Sequence, residues 1–232
     1  MNKSTAERIT GKVLSYLVFF CFAAVTILPF LWMTSTAFKF EQDVFRFPIE
    51  WVPSSIRWKN FQDVFTKIPY LNYYWNSIRL SVIITLLTLL TSSLAAYSFA
   101  KLRYRGRDQL FLLYLATLMV PWQVIMIPQF MVISKLKLAD THLSLILTQS
   151  FTPFGVFLLR QAFMGISEEY SQAAKIDGCT HLEICFRIIL PMVKPGLSAL
   201  TIFTFMGCWN DYLAPLIFLT SNSKRTLQLG LK

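Results

Sequence analysis

Residues 80–100 read LSVIITLLTLLTSSLAAYSFA, a run of 21 positions free of Asp, Glu, Lys and Arg, closed by Arg79 and Lys101. About 20 apolar residues in a helix span the hydrocarbon core of a bilayer. The same test applied outward finds more such stretches. Lys12 and Lys39 bracket 26 uncharged residues, and Asp108 and Lys135 bracket another 26. Residues 141–159 form a fourth stretch, and 195–223 a fifth interrupted only by Asp211. Backbone amides in lipid must find partners within their own segment, so all five read as helical spans. The fold class is therefore all-α, a polytopic membrane helix bundle.

Composition agrees. Of 232 residues, 55% are hydrophobic and only 15% charged, against roughly 25% charged in a soluble domain. Disorder requires the opposite balance, and four cysteines are too few for a disulfide-stapled scaffold of this length. The first apolar run is much longer than the h-region of a leader and no A-x-A site follows it, so it reads as a true span.

The net charge of +10 comes from scarce acids, 12 against 22 Lys and Arg. The bases stand mainly at the ends of apolar runs, where topology places them, and not on one face as a nucleic-acid binder would have them. The implied partner is the lipid bilayer, with no nucleic acid. Lys101, Arg103, Arg105 and Arg107 crowd one short loop, and Lys3, Arg8 and Lys12 precede the first span. Short basic loops orient membrane proteins, which favours an N-terminus on the cytoplasmic side. Cys21, Cys179, Cys185, Cys208, His142 and His181 have no metal-ligand spacing and read as structural.

Pro121 and Pro128 lie in one span. Paired prolines there point to a broken helix lining a polar path, with a packing kink as the alternative. Asp211 stands about 14 residues into the fifth span. An ionisable residue at such depth is functional by default, and with Trp209 and Asn210 it forms a candidate path. The alternative is a polar cap where the helix unwinds.

Between the fourth and fifth spans runs QAFMGISEEYSQAAKIDGCTHLEICFRIILPMVKPG, residues 161–196. Ser167 caps a helix with Glu168 and Glu169 in its first turn. Tyr170, Ala173 and Ala174 share a face by helical spacing. Gly178 ends this helix in a left-handed conformation. Thr180-His-Leu-Glu183 fits a capping box for a second helix with an apolar stripe at Leu182, Cys185, Phe186 and Ile189. Leu190-Pro191 is expected to stop it. From the residues alone, this helix–glycine–helix unit is equally a docking element or an interfacial pair lying on headgroups.

The run Gln172-Ala-Ala-Lys-Ile-Asp-Gly178, followed by Ile189-Leu-Pro191, resembles the EAA loop of binding-protein-dependent ABC importer permeases, and the chain resembles their carbohydrate, maltose-type branch. Asn76-Ser77, Ala95-Ala-Tyr97, Arg105-Gly-Arg107, Phe157-Leu-Leu-Arg-Gln161, Trp209-Asn-Asp211 and Pro215-Leu216 extend the resemblance along nearly the whole chain. It implies one transmembrane domain over 1–232, with a coupling loop at 165–196. Glu168, Glu169, Gln172, Ala173, Ala174, Asp177, Gly178, Leu190 and Pro191 are its coupling residues. Pro121, Pro128, Trp209, Asn210 and Asp211 are the candidate translocation path. The implied partners are a cytoplasmic ATPase dimer that binds the ATP, a second homologous permease and an extracytoplasmic solute-binding protein, in a prokaryotic inner membrane. Two departures stand out. Gln172 replaces the family's leading glutamate, and the chain stops where the family pattern adds a sixth span, so an incomplete bundle is the expectation.

No catalytic or cofactor motif is present: no G-x-x-x-x-G-K-[ST], G-x-S-x-G or H-E-x-x-H occurs. A membrane enzyme would need paired acids or histidines at one membrane face, and a passive channel would need no docking loop. Copurification of an ATPase separates importer from both.

Overall fold

The computed structural model describes residues 5–231, with side chains from Thr10 onward. Among these residues every regular element is helical. Two compact units are present, one ending at Ile68 and the other running from Pro69.

The first unit is built on α1 (Thr5–Ala37), a long helix whose described side chains are mostly exposed. A short 3-10 turn at Glu41–Asp43 and the amphipathic α2 (Lys59–Lys67) follow.

The second unit is organised around α3 (Tyr70–Lys101). It begins well before the charge gap that announced it. Its first turns carry Asn72, Asn76 and Ser77, which hold backbone of the C-terminal segment, and Tyr73, whose hydroxyl donates to the Asn222 side chain. Asn76 Nδ2 donates to the Ser223 and Arg225 carbonyls at 2.9 and 3.0 Å, and Ser77 Oγ accepts from Leu227 N–H at 2.8 Å. Further along, Ser81, Thr88, Ser92 and Ala96 are buried. Small side chains let helix backbones approach closely, which is what packs helices in lipid. Opposite them, Gly155 comes so near that a Cβ there would stand 2.6 Å from Ser92 Oγ.

The third apolar stretch is not one straight span. α4 (Arg107–Ala116) passes through a 3-10 turn at Thr117–Met119 and meets α5 (Trp122–Lys135) at 99°. Val120, pushed into extended geometry ahead of Pro121, makes the corner. Pro128 sits inside α5 without breaking it. The fourth stretch is α6 (His142–Gln149) and α7 (Pro153–Met164), bent by 42°. In the fifth, α11 (Lys194–Asn210) ends at Asp211, and the short α12 (Leu213–Phe218) follows. By length and apolarity alone, Thr10–Ala37 and Tyr70–Lys101 qualify as spans, and bent pairs bring the number to as many as five.

The long loop contains α8 (Glu168–Ile176), then α9 (His181–Glu183), a π-helical turn (Ile184–Ile189) and α10 (Leu190–Met192), which together run as one helix meeting α11 at 86°. Three expectations are corrected here. The helix does not stop at Leu190-Pro191 but passes through to Met192. A proline ring breaks a regular helix by clashing with the carbonyl four residues back. Here the widened i→i+5 turn opens the backbone just ahead of the ring. The same turn changes the periodicity. Ile184, Cys185 and Ile189 face the core, while Leu182 and Phe186, expected in the stripe, remain largely exposed. On α8, Ala174 is buried together with Ser171, so it parts from the exposed Tyr170 and Ala173. α13 (Leu227–Gly230) closes the described chain.

Candidate functional site

The loop at 165–196 is fixed at both of its caps. Ser167 Oγ accepts from Glu169 N–H at 3.3 Å. Thr180 and Glu183 form the reciprocal capping box: Thr180 N–H donates to Glu183 Oε2 at 2.9 Å, and Glu183 N–H donates to Thr180 Oγ1 at 3.4 Å. Between them Gly178 adopts φ +83° with open space around it. The turn therefore asks for glycine on backbone grounds alone.

Beneath the loop, Ile184, Cys185, Ile189 and Ala174 join a core with Ala96, Tyr97, Phe163 and Leu200. Polar contacts bind the loop to the end of α3. Lys101 Nζ, almost wholly buried, donates to the Ile166 carbonyl at 2.7 Å and lies 3.8 Å from Glu168 Oε2. Tyr97 Oη stands 3.3 Å from His181 Nδ1. One further anchor holds this end of the unit: Arg160 donates to the Phe99 carbonyl and to Asp108 Oδ1, each at 3.2 Å, with its guanidinium 4.1 Å over the Phe111 ring. A partly buried guanidinium shared between two acceptors and an aromatic face makes a joint between α3, α4 and α7.

The loop's outer side is a different surface. Glu169, Gln172, Ala173, Asp177 and Gly178 are exposed, beside Tyr170, Ile176, Leu182 and Phe186. Pro191 is also exposed, Glu168 and Leu190 are half-buried, and Ala174 lies inside. Nine residues expected to act in coupling thus fall on one compact unit, with Ala174 facing its core. Exposed apolar side chains among polar ones are the character of a surface that meets either a protein or a membrane.

The candidate path residues do not converge. Trp209 stacks with Phe205 at 6.1 Å and meets Tyr74 edge-on at 5.7 Å, so its ring lies in an aromatic ladder between α11 and α3. Asn210 Nδ2 turns back to the Met206 carbonyl at 2.9 Å. Asp211 sits where α11 unwinds. Its Oδ1 accepts from Ala214 N–H at 3.2 Å, starting α12, and its Oδ2 accepts from Gln149 Nε2 at 2.7 Å. Pro121 immediately precedes α5 and Pro128 lies within it, where Trp122 Nε1 donates to Gln129 Oε1 at 3.0 Å. Gln149 escaped the sequence reading, although an amide in an apolar stretch was a signal of the same kind as Asp211. It stands at the α6–α7 break and lines a cavity of about 230 Å³ with Thr152, Phe154, Phe203, Thr204 and Gly207.

At the opposite end of the unit, Asp140 ties the α5–α6 turn to the chain after α12. Its Oδ1 accepts from Thr220 and Ser221 N–H, each at 2.9 Å, its Oδ2 accepts from Ser221 Oγ, and Lys224 Nζ stands 3.2 Å away. The Ser221 hydroxyl, then the backbone donors, hold this carboxyl well below the usual carboxylate range.

Comparison with known proteins places this architecture. Residues 89–231 match the family described as binding-protein-dependent transport system inner membrane component. The arabinooligosaccharides transport system permease protein AraQ of Halalkalibacterium halodurans is 36% identical over 231 residues, covering 97% of this chain and 83% of that protein. The lactose transport system permease protein LacG of Rhizobium radiobacter is 33% identical, covering 97% and 82%. In structure, the chain is similar to a chain of a bacterial ABC transporter involved in the import of the acidic polysaccharide alginate, with a TM-score of 0.89 and 25% identity over 100% of this chain and 82% of that one. The helical bundle is thus that of an importer permease, and the chain belongs to the inner-membrane components of binding-protein-dependent transport systems.

Proposed function

We propose that the chain forms one half of the translocation pore of an ATP-driven importer for an oligosaccharide or related glycoside. The relatives' names, which specify arabinooligosaccharides and lactose, support the substrate class. The observation that carries the coupling is the rigid seat of the 165–196 loop: Lys101, the last residue of α3, grips its first turn. A push on the exposed residues Glu169, Gln172, Ala173, Asp177 and Gly178 then moves α3 and α11 as bodies, a two-state rocking of packed helices. Glu168, Ala174, Leu190 and Pro191 hold the shape of that lever. The pushing partner is a cytoplasmic ATPase dimer, which alone binds the ATP. A second homologous permease completes the pore and an extracytoplasmic binding protein delivers the solute. With the loop cytoplasmic, the N-terminus is cytoplasmic too.

The solute passes the α6–α7 break. There Asp211 orients Gln149, while Phe154 and Phe203 offer ring faces and Thr152 and Thr204 hydroxyls, groups suited to a sugar. Trp209 and Asn210 shape α11 behind this point, and the corner at Pro121, with Pro128 beyond it, sets the direction of α5. In proteoliposomes holding the assembled transporter, Gln149→Ala and Phe203→Ala should raise the KM for uptake several-fold while basal ATP hydrolysis persists. Unchanged uptake in both variants removes the break from the path. Failure of any P-loop ATPase to copurify with the wild-type chain removes the importer reading itself.

A further inference from the structure

The chain leaving α1 turns back along it. Trp51 meets Trp32 edge to face at 5.4 Å, and Ser35 Oγ donates to the Trp51 carbonyl at 2.6 Å. Lys39, 4% exposed, donates its Nζ to the Glu50 carbonyl and lies 4.7 Å over the Trp32 ring. Asn60 Nδ2 bridges the Ala37 and Lys39 carbonyls at 3.0 and 2.8 Å, fastening α2 to the same helix end.

This fold-back fixes a depth. Trp32 belongs to the apolar stretch Thr10–Ala37 of 28 residues. At about 1.5 Å per residue that helix is roughly 42 Å long, enough to cross the hydrocarbon core of about 30 Å and much of both headgroup layers. A helix of that length centred on the core leaves roughly 6 Å at each end, so Trp32, roughly 7.5 Å from the end on the same rise, stands at the headgroup–acyl boundary. A loop that rests on Trp32 rests there as well.

At that depth the loop presents what water disfavours. Phe45, Phe47 and Val52 are 90%, 89% and 81% exposed, and Trp51, Trp58 and Phe65 are at least half exposed. On α2, Phe61, Val64 and Phe65 share one side by helical spacing, while Lys59, Asp63 and Lys67 occupy the other. The polar side borders an open groove of about 420 Å³ that Lys39, Arg57, Asn60, Asp63 and Lys67 help to line. From Lys39 to Lys67 there are five bases and four acids, so charge gives no strong pull toward an anionic surface.

We propose that residues 41–67 are an interfacial anchor whose occupant is the phospholipid headgroup–acyl boundary at the C-terminal end of α1, with Phe45, Phe47, Trp51 and Val52 inserted into it. Aromatic rings favour this layer, where one edge is apolar and the other wet. Three features select lipid as the occupant: the patch is continuous with a helix long and apolar enough to cross a bilayer, its depth follows from contact with Trp32, and its near-neutral charge suits zwitterionic headgroups. The anchor would hold α1 in register with the bilayer and keep it from sliding along its axis.

The test uses the full chain in phosphatidylcholine vesicles, with the four native cysteines replaced and an environment-sensitive fluorophore on Phe45→Cys or, separately, Val52→Cys. Thr66→Cys, on the polar side of α2, is the reference. Lipids brominated near the headgroup should quench the labels at 45 and 52 at least threefold more than the label at 66, with blue-shifted emission. Quenching of 45 and 52 by aqueous iodide instead, with no response to brominated lipid, overturns the proposal. So does lipid quenching that vanishes when partner subunits are co-reconstituted, which identifies a protein as the occupant. Two labelled sites keep the test decisive if one substitution prevents folding.

Discussion

Lys101 Nζ lies 3.8 Å from Glu168 Oε2, joining the last residue of α3 to the first residue of α8 across 67 positions of sequence. The cation is buried and its stronger bond is to the Ile166 carbonyl at 2.7 Å. The carboxylate is partly solvated, so the ion pair itself adds little. The contact therefore works as a hydrogen-bonded joint with a charge beside it.

Lys101→Met should destabilise the chain by about 1.5–3 kcal/mol, the range for a hydrogen bond to a charged group. Glu168→Gln should cost less than about 1 kcal/mol. Thermal unfolding of the detergent-solubilised variants measures both. In the assembled transporter the lysine variant should also hydrolyse ATP without matching uptake.

Gly178→Val forces a β-branched residue into φ +83°. Because nothing lies within 4 Å of the missing Cβ, the penalty is conformational, about 1–2 kcal/mol for an ordinary residue and more for valine. Membrane insertion should persist while uptake falls. Gly178→Asn should retain most activity, since asparagine tolerates this region. Equal loss in the valine and asparagine variants would contradict the backbone explanation.

Gly155→Ala places a methyl 2.6 Å from Ser92 Oγ, 2.9 Å from Thr152 Cγ2 and 3.2 Å from Leu200 Cδ1. Overpacking of this kind costs about 1–3 kcal/mol. Adding Ser92→Ala removes the nearest atom and should return part of that loss. A double-mutant cycle on unfolding checks the coupling.

Asp140 sets an acid limit on its end of the unit. Its carboxyl titrates below the ordinary range in the folded chain, whereas in the unfolded chain it takes a proton near pH 4. The stability it contributes is complete above that value and is lost as pH falls through the depressed folded value. The difference in Tm between wild type and Asp140→Asn should hold steady from about pH 7 to 5 and shrink below about pH 4. A difference that grows on acidification would reverse the assignment.

What the sequence made legible was local. Gly178, Thr180 and Glu183 announced their turn and cap because each acts within four residues of itself. The charge gaps marked where lipid-compatible helix lies because that requirement is compositional. Asp211 stood out as a carboxylate in an apolar run, and the helix does unwind there. The rest depends on tertiary partners. Lys101 reads as a topology-setting loop cation, and only folding reveals that it is buried against Ile166. Pro121 and Pro128 look alike in sequence, yet one makes a 99° corner and the other lies quietly inside α5. Trp209 reads as part of a candidate path, while in the fold Tyr74 and Phe205 pack against its ring. The α2 segment attracted no notice, because a nine-residue amphipathic helix is too short for a span test.

The π-helical turn at Ile184–Ile189 also limits how this chain can be recombined with its relatives. Its wider winding uses residues at a different rate per turn, so residue count and angular position fall out of step within the segment. A graft that replaces it with a regular helix of equal length would preserve every alignment column and still rotate Val193 off the core, carrying the start of α11 with it. For chimeras between permeases, the unit of exchange is the whole stretch from Thr180 to Val193, taken with its own winding.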